Sequence, residues 1–175
     1  FVIAPDDTPY ACTCPSCTAI GNTEKNATPA VTELILRLSQ RFPRHFFFTT
    51  SYLTTQQVTD KQLPPNAGVI VSAINFPLRR IDGKDAKEKA FAGQLEQWKN
   101  VTKNIYIWDY INNFDDYLTP MPILKIARQR LQFFKQHGAS GIFFNGSGYS
   151  YSSFDEMRTF VLSALLINPE LSVDN

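Results

Sequence analysis

The 175-residue chain contains no apolar run approaching the ~20 residues that a membrane-crossing helix needs. It also lacks any long run of lysine or arginine. Its 17 basic residues meet 16 acidic ones, for a formal net charge of +1. No nucleic acid or anionic membrane surface is therefore expected as a partner. Histidine is scarce, and His45 and His137 stand too far apart to show a ligand spacing. Internal repeats and low-complexity segments are missing. So is a full dinucleotide fingerprint: Asn145-Gly146-Ser147-Gly148 falls short of the glycine pattern, and no acidic residue sits on a following strand. No cofactor is expected on that ground. The sequence opens at Phe1 with neither an initiator methionine nor a signal-peptide pattern. The chain is expected to be a piece of a longer, secreted, periplasmic or cell-surface protein, with its targeting signal upstream.

What is present alternates. Residues 1–5, 45–53, 67–74, 104–110 and 140–145 read as strands, being apolar runs rich in Val, Ile, Phe, Tyr and Thr. Between them lie helical periods. Thr28-Pro29 opens the first, with Val31, Leu34, Ile35, Leu38 and Phe42 on one face and Pro43 as its stop. The second covers about 85–100, with Ala90, Phe91, Leu95 and Trp98 at helical spacing. Thr119-Pro120 opens the third, which closes at His137-Gly138. Ser153 and Glu156 form a capping box for the last, and Asn168-Pro169 stops it. Residues 6–27 and 54–66 read as loops.

Repeated strand–helix units predict a parallel sheet, because parallel neighbours need a crossover. The length suits one domain spanning 1–175. Five strands are too few to close a (β/α)8 TIM barrel of about 250 residues, but they fit its C-terminal part, the last five strands, with three missing upstream. An open doubly wound parallel sheet is the alternative. A partial barrel leaves sheet edges unpaired, so the upstream part of the same protein or another chain is expected to cover them. Both architectures place function at the carboxyl edge, where Asp6, Asp7, Tyr52, Asn75, Asp109 and Asn145 fall.

The segment 104–113 carries the clearest chemistry. It starts as an apolar strand and ends in Trp108-Asp109-Tyr110 with Asn112 and Asn113. Aromatic rings stack on the apolar faces of sugars, and carboxylates and amides bond sugar hydroxyls. Carbohydrate is therefore the expected partner, with Trp108 or Tyr110 as a wall and Asp109 and Asn113 as hydroxyl ligands. Tyr52 and Asn145 are further candidates at strand ends. A strand end capped by satisfied polar groups is the competing reading. Arg79-Arg80 suit either a sugar carboxylate or a solvated pair. Cys12-x-Cys14-x-x-Cys17 offers three thiolates to a metal, but a closed zinc site needs a fourth ligand. One disulfide with a spare thiol is the alternative, so no metal is the expectation and the cysteines stand as the weaker choice. Asn-x-Ser/Thr matches occur at Asn26, Asn100 and Asn145.

Several segments together resemble one known pattern: Ile3-Ala4-Pro5-Asp6-Asp7 ahead of the cysteine cluster; residues 105–110 with Asn113-Phe114 and Tyr117-Leu118-x-Pro120-x-Pro122; Gly138-x-x-Gly141-Ile142-Phe143; and Phe154-x-x-Met157-Arg158-x-Phe160-Val161 through Leu165-Leu166-x-Asn168-Pro169. The chain resembles the bacterial domain-of-unknown-function family 4838, often found behind a domain like the N-terminal one of family 67 glycoside hydrolases. That resemblance implies a glycosidase-type TIM barrel. More distantly, Asp6-Asp7 is similar to the adjacent acid pair after the fourth barrel strand of family 84 and family 20 hexosaminidases. Trp108-Asp109-Tyr110 with Asn112-Asn113 resembles the sugar-holding Trp-Asp-Asn segment of family 84. The similarity implies substrate-assisted hydrolysis, in which Asp6 orients the substrate acetamide and Asp7 is the general acid. The residues themselves also admit plain turn chemistry for Pro5-Asp6-Asp7-Thr8-Pro9. Expected function is thus a glycoside hydrolase-like domain for an N-acetylhexosaminide or uronic-acid glycan, or else a non-catalytic carbohydrate-binding or scaffold barrel.

Overall fold

Each apolar run of the sequence becomes a strand shorter than the run, and each amphipathic stretch becomes a helix. The computed structural model describes residues 1–146 and 152–172. In chain order the elements are β1 (Val2–Ile3), α1 (Pro15–Ile20), α2 (Thr28–Arg41), β2 (Phe47–Ser51), a 3-10 turn (Leu53–Thr55), β3 (Ala67–Ser72), α3 (Ala86–Lys99), β4 (Ile105–Tyr110), α4 (Ile123–Gln136), β5 (Gly141–Asn145) and α5 (Asp155–Ile167). The five strands form one sheet, every neighbouring pair is parallel, and spatial order equals chain order.

Strand alternation sorts the side chains into two layers. On one face, Val69 and Val71 of β3 and Ile105 and Ile107 of β4 meet Leu95 and Trp98 of α3 and Phe134 of α4. Ile142 and Phe144 of β5 meet Ala127 and Leu131 of α4 and Leu162 and Leu165 of α5. Ile35 of α2 covers Phe47 and Ala67, with Ile3 alongside. Fully burying a side chain such as Leu95 or Ile35 contributes about 2 kcal/mol, so this one-sided layer is the main support of the sheet. The register sends Val2, Phe48, Ile70, Tyr106, Trp108 and Phe143 to the opposite face. No helix among the described residues covers it, and Val2, Tyr106 and Phe143 are exposed. A doubly wound sheet reverses its strand order and carries helices on both faces. Here the winding never reverses, which is the layout of an arc of a (β/α)8 barrel.

Gly68 is required by this open face. A Cβ there would run into the Asn104 carbonyl and come within 2.7 Å of the Phe48 ring. Its absence lets Phe48 stack on Tyr106 across β3, with ring centroids 4.9 Å apart.

Several helix ends differ from the sequence reading. α4 begins at Ile123 rather than at Thr119, because Pro120 and Pro122 each push the residue before them out of the helical region. Thr28 does not cap α2 but lies inside it. Asn26 Oδ1 accepts from the Thr28 amide at 2.9 Å, and Asn22 Oδ1 accepts from the Ala30 amide at 3.0 Å. The Ser153–Glu156 capping box does not form. The cap position of α5 is Phe154, at φ 56°, one residue too late for that pairing. The predicted helix over 85–100 is observed almost unchanged. Asp85 caps it, accepting from the Lys87 amide at 2.6 Å and the Glu88 amide at 3.3 Å. Residues 6–27, read as loop, contain α1, which starts at Pro15 and is closed by Gly21 at φ 114°. Ser147 and Gly148 of the glycine-rich turn lie outside the described residues. No helix among the described residues is long and apolar enough to cross a membrane.

Candidate functional site

Because all five strands run the same way, their carboxyl ends gather at one edge. A crevice of about 890 Å³ opens there. Asp6 and Asp7 line it from the segment after β1, Tyr52 and Leu53 from the end of β2, Ile74 and Leu78 from the segment after β3, Trp108, Tyr110 and Asn113 from β4 and its exit, and Asn145 from the end of β5. Met121 and Pro122, from the approach to α4, add to the wall. The acidic pair near the start of the chain and the indole in its middle therefore share one cavity.

Trp108 and Tyr110 are two residues apart on one strand, so their rings emerge on the same face. They lie 12° from parallel with centroids 6.3 Å apart. Phe143 of β5 meets the indole edge to face at 5.8 Å, and Phe114 does the same to Tyr110 at 5.9 Å. The result is a fixed aromatic surface with a polar rim. The Trp108 Nε1 proton is buried and has no hydrogen-bond partner among the described residues.

Asp109 is not part of this surface, which corrects its expected role as a hydroxyl ligand. The same alternation that presents Trp108 and Tyr110 to the crevice turns Asp109 to the helix layer. Its side chain is completely buried and paired with Arg130 of α4. Arg130 Nε donates to Asp109 Oδ2 at 2.8 Å, Nη2 donates to Oδ1, and Nη1 donates to the Pro77 carbonyl at 2.7 Å. The guanidinium also lies over the Phe76 ring, 4.7 Å from its centroid. Asp109 thus fastens β4 to α4 and to the segment after β3.

Both Asp6 and Asp7 are exposed, at the lip of the crevice. The Tyr52 phenol faces Asp7 from the same crevice wall. Partial burial, then the negative charge of nearby Asp7, push the Tyr52 phenol above its ordinary value. Asn113 is half-buried, and its Oδ1 accepts from the Asp115 amide at 3.1 Å. Its neighbour Asn112 is buried and accepts from Arg158 of α5, which also donates to the Ile111 carbonyl at 2.7 Å. Asn145 pairs with Tyr110 in register, and its backbone carbonyl accepts from the Ile111 amide at 3.2 Å.

Sequence reasoning missed the apolar half of the wall, Leu53, Ile74, Leu78 and Met121. Only position after a strand could have flagged the first three. Leu53 carries a further mark: it adopts φ 45°, a left-handed conformation that bulky residues rarely take. The turn that holds it bonds the Thr55 amide to the Tyr52 carbonyl at 2.9 Å, and Ala27 donates to the Thr54 carbonyl at 2.7 Å. Arg79 pairs with Asp85 at the start of α3, and neither Arg79 nor Arg80 lines the crevice. The three cysteines lie outside it as well. Their sulfurs are within 4.8 Å of one another, and all three are free thiols.

A family model described as Domain of unknown function (DUF4838) matches residues 1–175. No curated protein and no solved structure matches the chain.

Proposed function

The chain belongs to the domain-of-unknown-function family DUF4838, and from that premise we propose that its carboxyl-edge crevice takes a sugar residue of a complex glycan, in the manner of a glycoside hydrolase. One observation carries the reading: an adjacent acid pair and a stacked indole–phenol wall line the same cavity. A sugar ring laid on Trp108 and Tyr110 turns its polar edge toward Asp6, Asp7, Asn113 and Asn145. Asp7 is assigned the general acid and Asp6 the partner of a substrate acetamide N–H. Substrate-assisted hydrolysis then needs no second carboxylate as nucleophile, which fits the amide, rather than acid, at Asn145. An N-acetylhexosaminide is preferred over a uronic acid, because the two arginines that would read a sugar carboxylate lie elsewhere. Glycan chemistry of this kind belongs to a secreted, periplasmic or cell-surface protein, and we assign the chain there.

The exposure of both carboxylates favours a second reading, a carbohydrate-binding barrel without turnover, since a general acid works best in a dry site. Fluorogenic N-acetylhexosaminides and a glycan array separate the two. The hydrolase reading expects turnover by the full-length protein that falls at least about 100-fold in Asp7→Asn. Glycan retention without turnover supports the binding reading. Trp108→Ala weakens retention in either case, and neither turnover nor retention by a folded protein defeats both.

A further inference from the structure

The segment between the acid pair and α2 is held in an unusual way. α1 has six residues and none of them is buried. The turn it forms therefore adds no buried side chain to the core. Its ties are polar and few: Ala11 donates to the Glu24 carbonyl at 2.8 Å, Asn22 Nδ2 donates to the Cys12 carbonyl at 3.1 Å, and the Asn22 amide donates to the Cys17 carbonyl at 3.0 Å. Small units without a core are commonly stapled by a metal or by disulfides. Here Cys12, Cys14 and Cys17 converge within 4.8 Å and remain free thiols.

We propose that Cys12, Cys14 and Cys17 form a three-thiolate site for one soft metal ion, zinc(II) or copper(I), that clamps the turn leading out of the acid pair. Thiolate ligands select these ions over the hard cations. The three sulfurs already stand close enough for a single ion to reach all of them. Metal binding displaces thiol protons to solvent, up to one for each new metal–sulfur bond. No fourth His, Cys, Asp or Glu joins the cluster among the described residues. Copper(I) needs none, whereas zinc would complete its tetrahedron with a water. Asp7 lies five residues before Cys12, so the clamp also fixes the loop that carries the acid pair.

The test uses the reduced chain without oxygen. Zinc(II) is titrated against a chromophoric chelator, and copper(I) against a copper(I)-selective one. Cobalt(II) serves as a spectroscopic probe of thiolate ligation. The expected result is uptake of one ion per chain, proton release and a sulfur-to-cobalt charge-transfer band. Affinity falls by at least about tenfold in Cys14→Ser, a ligand loss being no milder than the loss of an outer-shell partner. It vanishes when all three cysteines are replaced by serine. Zinc uptake alone or copper(I) uptake alone identifies the ion and upholds the site. Circular dichroism checks that the variants fold; if the triple variant does not, alkylated wild-type protein takes its place. Uptake of neither ion, or uptake that survives loss of all three thiols, overturns the proposal. None of these readouts depends on the glycan reading.

Discussion

At the residue scale, parity along β4 decides which groups do chemistry and which hold the fold. Trp108 and Tyr110 are available to a ligand, while Asp109 between them is committed to Arg130. A buried ion pair broken on one side leaves an uncompensated charge, at a cost of about 3–5 kcal/mol. Arg130→Met is therefore expected to lower the urea unfolding free energy by that amount. The double change Asp109→Leu with Arg130→Met recovers most of it, because neither charge is then stranded. Equal losses in the single and double variants would show that packing against Phe76, rather than charge, accounts for the effect. Gly68 makes a second residue-scale prediction. A methyl group there collides with the Asn104 backbone, which cannot retreat without losing its bond to the Val69 amide at 2.9 Å. Gly68→Ala is expected to cost about 1–3 kcal/mol, as overpacking does, and thermal unfolding of the two proteins measures it.

Helix ends and tethers set the behaviour of the elements. Glu33 on α2 pairs with Arg37 one turn on and with Lys61 of the segment before β3. The bonds and charges of these two cations hold the Glu33 carboxyl below its ordinary value. A carboxyl depressed in the folded state stabilises the fold above its unfolded value, and that contribution is lost as pH falls through the folded value. The group is solvent-exposed, so the effect is small and screened by salt. NMR titration is expected to find the Glu33 midpoint below that of an unpaired glutamate and to see it rise in Lys61→Ala; an unmoved midpoint would dismiss the tether. The proline pair before α4 matters for a different reason. It lengthens the segment after β4, and so gives the crevice Met121 and Pro122 as walls.

At the scale of the whole molecule, the helices among the described residues cover the sheet on one face only. Its other face carries the stacked Phe48 and Tyr106 with exposed Val2 and Phe143, and β1 and β5 are edge strands. Exposed aromatic surface and unpaired edges favour association. The isolated chain is expected to form dimers or larger species in light scattering, with the effect reduced by Phe143→Lys. A stable monomer at high concentration would show that the open face tolerates water unaided.

The sequence by itself determined the strand count, the parallel sheet and the edge where a site belongs. Those follow from apolar runs, helical periods and crossover length, which are local or nearly so. It also supplied several of the polar and aromatic crevice residues, since such groups at strand ends stand out against an apolar background. Only the tertiary structure decided that Asp109 points away. Its partner Arg130 lies 21 residues on, and Trp-Asp-Tyr read as a cluster conceals the two-residue period that splits it. Only the fold brought Asp7 to Tyr52 and supplied Leu53, Ile74 and Leu78. Those contacts depend on how separate strands line up side by side, and that register is fixed by packing against the helices rather than by any segment alone.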